Sequence, residues 1–495
     1  VRQAHTVGTV RTAEKAVMER LPEGALMRRA SGALAGVCAR MLRRVYGARV
    51  VLLVGGGDNG GDALYAGAAL ARRGAAVRAV PAAATLHEGG AAALRAAGGR
   101  VLAPSAAGGA ADAEAEIAAA DLVVDGLVGI GGRGGLREPH ARLAALASAA
   151  SAPVVAVDLP SGVDADTGAV PGPAVRADVT VTFGTHKPGL FVDPGATHAG
   201  VVEAVDIGIA DDLPAPRLVV PRAADVAALL PRPDAESDKY RRGVLGMAVG
   251  SQRYPGAAVL AVGGALRGGA GLVRYAGHRD AVTEVLHRWP EVVASQLDPV
   301  DPVAGLPVRV NAWVIGPGRG LHPVAAMELE AVLDTTLPVL VDADGITLLS
   351  RNPDLVRART APTLLTPHAG ELARLLPGAD RAAIEARRLE FATRAAEEYG
   401  CTVLLKGSTT IVAEPGHPAV ANPTGTPLLA TAGSGDVLSG LAGALLAGGL
   451  AARDAALCAA YLHGLAARLA HDGAPISASD LVTALPAAFR AVTAD

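Results

Sequence analysis

Cysteine is scarce: Cys38, Cys401 and Cys458 are the only three in 495 residues. An odd number so widely separated gives no disulfide framework, and no spacing matches a zinc ligand pair. A reducing, cytoplasmic setting is expected. Aromatic residues make up 3% of the chain, too few for the platforms on which single-stranded nucleic acids stack. Charge is sparse and balanced, 45 Lys+Arg against 48 Asp+Glu for a net of -3. No strong field therefore draws the chain toward nucleic acid or anionic membrane, and the expected partners are small molecules and further copies in a homo-oligomer. Long apolar runs are missing as well. The longest, Leu438 to Ala452, includes Ser439 and four glycines and falls short of the roughly 20 residues that a membrane span requires. The first twenty residues carry charge throughout and show no apolar export core.

Glycine is what the chain has in excess. The 61 glycines are roughly 12% of the chain against a usual ~7%, with no collagen-like period. They belong in turns and in loops where backbone must approach a ligand. Apolar runs such as RVVLLV (Arg49 to Val54), DLVVDGLVG, PVVAVDLPSG and DVTVTFG alternate with helical segments and end in polar loops. That alternation predicts parallel sheets wrapped by helices, with chemistry at the carboxyl ends of the strands. It lapses between Ile207 and Arg242, where Pro214, Pro216, Pro221, Pro231 and Pro233 cluster, and resumes with VLGMAVG, AWVIGPG, LPVLVDADG and TVLLKGSTTIVAE. The expected fold class is α/β throughout: a Rossmann-like three-layer domain over 1–210, a linker over 211–235 and a second α/β domain over 236–495.

In the first domain Gly55, Gly57 and Gly60 follow a strand and precede a helix, a context in which backbone N–H groups receive a phosphate. The second strand brings no carboxylate for a ribose, which disfavours ordinary NAD-dependent hydride transfer. Instead Asp58, Asn59, Asp62, Asp125, Asp158 and Ser161 gather at three strand ends. Taken singly each is a cap or turn residue; taken together they form a site, and Asn59, Asp125 and Ser161 offer hard oxygens suited to an alkali or alkaline-earth cation. In the second domain Gly433, Ser434 and Gly435 precede a long apolar helix with Asp436 in its first turn. The backbone amides would face an oxyanion, and the carboxylate is placed to take a proton from an attacking hydroxyl, although a simple N-cap reading weighs equally. Lys406 to Thr410 (KGSTT) adds a cation and hydroxyls after a strand, and His368 sits on a turn where Glu371 would cap a helix. No P-loop motif is present.

GGGDNGGDALYAG, DGLVGIGGRGG, DLPSGVD and TFGTHKPG resemble the motifs of NAD(P)H-hydrate epimerase domains, with Asp58 standing where that family usually has Asn. The resemblance implies potassium at Asn59, Asp125 and Ser161. It implies contacts to the hydrated dinucleotide from Asp58, Asn59, Gly60, Gly61 and Asp62, from Gly129, Ile130, Gly131, Gly132, Arg133, Gly134 and Gly135, and from Asp158, which is also the acid–base candidate. VIGPGRG, VDADGITLL, LTPHAGELARL, LLKGSTT and ATAGSGDVLSG resemble, in order, the NAD(P)H-hydrate dehydratase branch of the ribokinase-like fold. That implies an adenine nucleotide at Lys406, Gly407, Ser408, Thr409, Thr410 and Gly435, and the hydrate at Ala258, Gly318, His368 and Asp436, with Asp436 as base. The whole chain is thus similar to bifunctional NAD(P)H-hydrate repair enzymes: epimerisation of NADHX and NADPHX, then dehydration of the S form at the expense of ADP with magnesium. Two other readings remain open from the residues, a small-molecule kinase with an accessory domain and a first domain that only senses ligand.

Overall fold

A computed structural model describes residues 1–104, 110–297, 301 and 303–494. The chain divides into two compact units, Gln3–Leu218 and Val219–Asp495, the second also taking in Val1–Arg2. The division falls within 211–235, and that stretch itself contains the strand Leu218–Val220 and the helix Ala223–Leu229.

The sheet of the first unit has seven strands, in the order Arg100–Val101, Ala76–Pro81, Arg49–Val54, Leu122–Gly126, Val154–Val157, Val179–Phe183, Val201–Val205. Every neighbouring pair is parallel. Val50 to Val54 are buried without alternation, as a central strand covered on both faces requires. The chain works outward in opposite directions from Arg49–Val54 and Leu122–Gly126, so the topological switch point lies at their carboxyl ends. The two loops leaving it press together: a Cβ on Gly55 would lie 1.9 Å from the Leu127 carbonyl oxygen. Only glycine fits there, which gives the first residue of the Gly-rich loop its reason.

In the second unit Val244–Ala248 is flanked by Leu272–Gly277 on one side and Ala312–Ile315 on the other, both parallel. Here again the strand order reverses beside the first strand. The parallel run continues through Val339–Val341, Thr363–Leu365 and Thr402–Leu405. Ile411–Ala413 then turns back antiparallel, so KGSTT is the loop of a hairpin and not the start of a crossover.

The helices Pro255–Arg267 and Ser434–Ala447 pack through glycine. A Cβ on Gly440 would lie 1.8 Å from the Ala261 carbonyl oxygen, and one on Gly264 2.3 Å from that of Val437. This close approach seats the helix whose first turn holds Asp436. Gly440→Ala is therefore expected to push the pair apart at a cost of about 1–3 kcal/mol or more, read as a lower urea midpoint with an unchanged slope.

Candidate active sites

In the first unit the strand Val154–Val157 delivers Asp158 in a left-handed backbone conformation, φ 63°, which is strained for a residue with a Cβ. Its carboxylate is held from several directions. Oδ1 accepts from Lys187 Nζ at 2.5 Å, from the Phe183 N–H at 3.0 Å and from Thr182 Oγ1 at 3.1 Å. Lys187 is 1% exposed and also donates to Thr182 Oγ1 and the Phe183 carbonyl, so all three protons of the buried ammonium are engaged. Such satisfaction is what a buried pair needs.

Asp62 is the opposite case. It lies just past the first turn of the helix Asp58–Arg72, is buried, and its Oδ1 has no hydrogen-bond partner. Burial first, then the charges of Asp158, Asp58 and Glu14, push its pKa up to about 8. Both carboxyl groups line one cleft of about 1330 Å³ with Asp58, Asn59, Gly129, Ile130 and Gly131. The segment from Arg11 to Ala30 also lines it with apolar and charged side chains, Leu21, Leu26 and Met27 alongside Arg11, Lys15 and Arg28.

Asp125 and Ser161 are bound to each other: the Ser161 hydroxyl donates to Asp125 Oδ1 at 2.6 Å and its N–H to Oδ2 at 2.8 Å. Burial pushes the Asp125 pKa up to about 6, against the pull of those hydrogen bonds and of one from the Leu127 N–H. Asn59 lies so close to Gly129 that a Cβ there would come within 2.7 Å of Oδ1, and its Nδ2 is buried without a partner. Oxygen donors with a single carboxylate suit a monovalent cation better than a transition metal. Among the described residues no three His, Cys, Asp or Glu side chains are grouped to hold a metal ion.

In the second unit the loops after Val339–Val341 and Thr402–Leu405 meet the N-terminal turns of Ser434–Ala447, with Glu371 from the loop and helix after Thr363–Leu365 close by. Asp342, 1% exposed, accepts from Lys406 Nζ at 2.7 Å and the Ala343 N–H at 2.8 Å on Oδ1, and from Ser439 Oγ at 2.6 Å on Oδ2. Burial works against the Lys406 charge, but Asp342 and Glu371 outweigh it and hold the pKa above its ordinary value. Gly435 leaves room beside this ammonium, since a Cβ there would lie 3.5 Å from Nζ. Asp436 is half-buried. Burial, then Asp342, and more weakly Asp344, push its pKa up to about 7, with Lys406 opposing. Behind the first turn His463 donates from Nε2 to the Ser434 carbonyl at 2.9 Å; burial brings its pKa down to about 4, so it is neutral at pH 7.

The sites expected from sequence distribute unevenly over this geometry. Gly60 and Gly61 are buried in the helix and allow close packing, a Cβ on Gly60 meeting the Gly55 carbonyl at 2.3 Å and one on Gly61 meeting His87 at 2.9 Å. Gly132, Arg133, Gly134 and Gly135 continue past the cleft and do not line it. Ala258 is completely buried, its Cβ beneath Gly250; it shapes a loop and shows no side chain to solvent. Gly318 adopts φ 60° in the loop after Ala312–Ile315. His368 N-caps the helix Ala369–Leu375, its Nδ1 accepting from the Gly370 and Glu371 N–H groups while the Glu371 carboxylate accepts from the His368 N–H. Gly407 and Ser408 are exposed and Thr409 is buried. Gly407 rests on Arg388, whose Nη1 a Cβ would meet at 1.9 Å. Sequence reading missed Lys187, Asp342, Ser439 and His463 as individual residues. The first three stand inside TFGTHKPG, VDADGITLL and ATAGSGDVLSG, where a charged or hydroxyl residue beside the chosen ones was the available signal.

A family model described as YjeF-related protein N-terminus matches residues 23–189, and one described as NAD(P)H-hydrate dehydratase matches 245–487. These matches accord with a Rossmann-like first unit and a ribokinase-like second one. A solved structure described as the ADP/ATP-dependent NAD(P)H-hydrate dehydratase from Bacillus subtilis, co-crystallised with ATP/Mg2+, is 30% identical. It covers 55% of this chain and 97% of its own, with a TM-score of 0.49. The bifunctional NAD(P)H-hydrate repair enzyme Nnr of Moorella thermoacetica is 39% identical over 75% of this chain and 73% of its own length. The enzyme of the same name from Mycobacterium leprae is 48% identical over 99% of this chain and all of its own length. The chain belongs to the family of bifunctional NAD(P)H-hydrate repair enzymes.

Proposed function

We propose that the Gln3–Leu218 unit interconverts the R and S hydrates of NADH and NADPH, and that the Val219–Asp495 unit dehydrates the S form, turning ADP into AMP and phosphate. The observation that carries the second assignment is the meeting of Asp436 with the Lys406–Asp342 pair at one helix N-terminus. The hydroxyl of the hydrate gives its proton to Asp436 as it attacks the terminal phosphorus of the nucleotide. The Gly433–Gly435 amides face the charge that develops, and Lys406, fixed by Asp342, faces the nucleotide phosphates. As the new oxygen–phosphorus bond forms, the bond from that phosphorus to AMP breaks and AMP departs with the electron pair. Phosphate then leaves the ring carbon with its electron pair while a proton leaves the neighbouring ring carbon, which restores the double bond of the dihydronicotinamide. Magnesium, when bound with the nucleotide, neutralises phosphate charge. The carboxylates beside Lys406 are already engaged with protein donors, so phosphate oxygens and water would make up most of its shell.

In the first unit Asn59, Asp125 and Ser161 would hold potassium at the edge of the cleft, beside Asp58 and Gly129–Gly131, which would receive the pyrophosphate. We place the reaction in a reducing cytoplasm, where Cys38, Cys401 and Cys458, all buried and unpaired, keep their thiols. Among the described residues no helix is long and apolar enough to cross a membrane.

Hydrated NADH supplied with ADP, and in parallel with ATP, is expected to regain its dihydronicotinamide absorbance with one free phosphate released per turnover. A stable phosphate ester in place of that return would instead make the second unit an ordinary small-molecule kinase.

A further inference from the structure

Among the carboxyl groups that line the cleft of the first unit, Asp158 and Asp62 have surroundings that differ in kind. Asp158 has a buried ammonium, a backbone N–H and a hydroxyl converging on one oxygen. Each is a donor, so the arrangement is complete only for the anion. Asp62 is 8% exposed, its Oδ1 is unpartnered, and no cation contacts it. The charges that raise its pKa are those of carboxylates, Asp158 from the strand end, Asp58 on its own helix and Glu14 on the N-terminal helix Val7–Met18. Arg11 and Lys15 on that N-terminal helix and Arg28 also line the cleft, but Asp62 Oδ1 accepts from none of them. Lys187 is committed to Asp158. His87 and Tyr65 stand at the same cleft wall.

Resting on the epimerase reading above, we propose that Asp62 is the proton donor of the epimerisation, and that Asp158, locked to Lys187, is the fixed anion opposite it. In the forward step the bond between the ring carbon and its hydroxyl oxygen breaks with its electron pair on oxygen. That oxygen takes the proton of Asp62 and departs as water, while the lone pair of the ring nitrogen forms the C=N bond of an iminium cation. The Asp158 carboxylate balances this positive charge. Water then adds to the other face of the same carbon, the C=N pair returns to nitrogen, and the surplus proton goes back through water to Asp62. No oxidant or further reactant enters. Two acids held in opposite protonation states at one pH are what such a cycle needs. The upward shift of Asp62 to about 8, caused by burial and then by its three acidic neighbours, keeps its proton in place at neutral pH.

The test uses the full-length protein and the pure R hydrate of NADH, with initial rates of S formation corrected for spontaneous epimerisation between pH 5.5 and 9.5. Wild-type kcat is expected to be flat near neutrality and to fall as pH rises through about 8, because the donor then loses its proton. Asp62→Asn should lower kcat by at least about 100-fold, leave KM within about threefold and abolish the alkaline limb. Asp62→Glu, which keeps an ionisable group, should retain a limb at a displaced pH and decides the matter if the amide does not fold. A wild-type profile without an alkaline limb, an Asp62→Asn protein with more than a tenth of the wild-type kcat, or a glutamate variant without a limb each overturns the assignment. Absence of any wild-type acceleration at every pH is a different result and removes the epimerase reading itself.

Discussion

Asp436→Asn is expected to lower the dehydration kcat by about 10³-fold, within the range typical of a lost general base, while the dissociation constant for ADP changes by less than about threefold. The amide preserves shape and the start of the helix, and the ammonium of Lys406, proposed above to face the nucleotide, is positioned by Asp342, not by Asp436. Single-turnover phosphate release and calorimetric nucleotide binding separate the two effects. The pH dependence follows from the same surroundings. Asp436 must be ionised to accept a proton, and burial with the nearby Asp342 has pushed it up to about 7, so wild-type dehydration rises as pH increases through about 7. For stability the sign is reversed. A carboxylate whose folded pKa lies above its unfolded value weakens the fold as pH rises between 3.8 and about 7. The asparagine variant is thus expected to melt no lower than wild type at pH 8, the pattern of a residue retained for chemistry at some cost to stability. Full activity in this variant would reduce Asp436 to a helix-end carboxylate.

The strand-and-loop alternation was legible because buried parallel strands must be apolar along their whole length, and the glycine loops because backbone contact leaves no room for a Cβ. Gly55 against Leu127 and Gly440 against Ala261 are the physical content of those sequence runs. What the sequence hid are pairings across long separations. Asp342 is joined to Ser439 97 residues on and to Lys406 64 residues on, and His463 reaches back 29 residues to Ser434. No local pattern encodes such partners, since each depends on which loops the topology sets side by side. The hairpin turn at KGSTT was hidden for a related reason: TVLL and TIVAE read alike as buried strands whichever way the second one runs. Asp62 and Asp158 also look equivalent as aspartates after strands. What distinguishes them is tertiary: Lys187, 29 residues beyond Asp158, joins Thr182 and the Phe183 N–H on that carboxylate, whereas Asp62 Oδ1 is buried without a donor.

Lys187→Met is expected to abolish epimerisation and to destabilise the first unit by about 3–5 kcal/mol, the cost typical of removing one partner from a buried ion pair. Asp158 is 7% exposed and depends on the ammonium for its shortest hydrogen bond. Without that ammonium a mostly desolvated carboxylate remains, with only the Phe183 N–H and the Thr182 hydroxyl to hold it. Hydrogen exchange over Val154–Val157 and Val179–Phe183 should accelerate, since the Lys187 ammonium also ties down Thr182 and the Phe183 carbonyl. Dehydration of the pure S hydrate by the same protein is expected to stay within about twofold of wild type, which separates local damage from general misfolding. The double variant Lys187→Met with Asp158→Asn removes the stranded charge as well, and should recover at least about half of the lost stability without recovering epimerisation. If the single variant is instead as stable and active as wild type, the pair neither holds the fold nor sets the charge of Asp158, and the division of labour between the two aspartates has no structural basis.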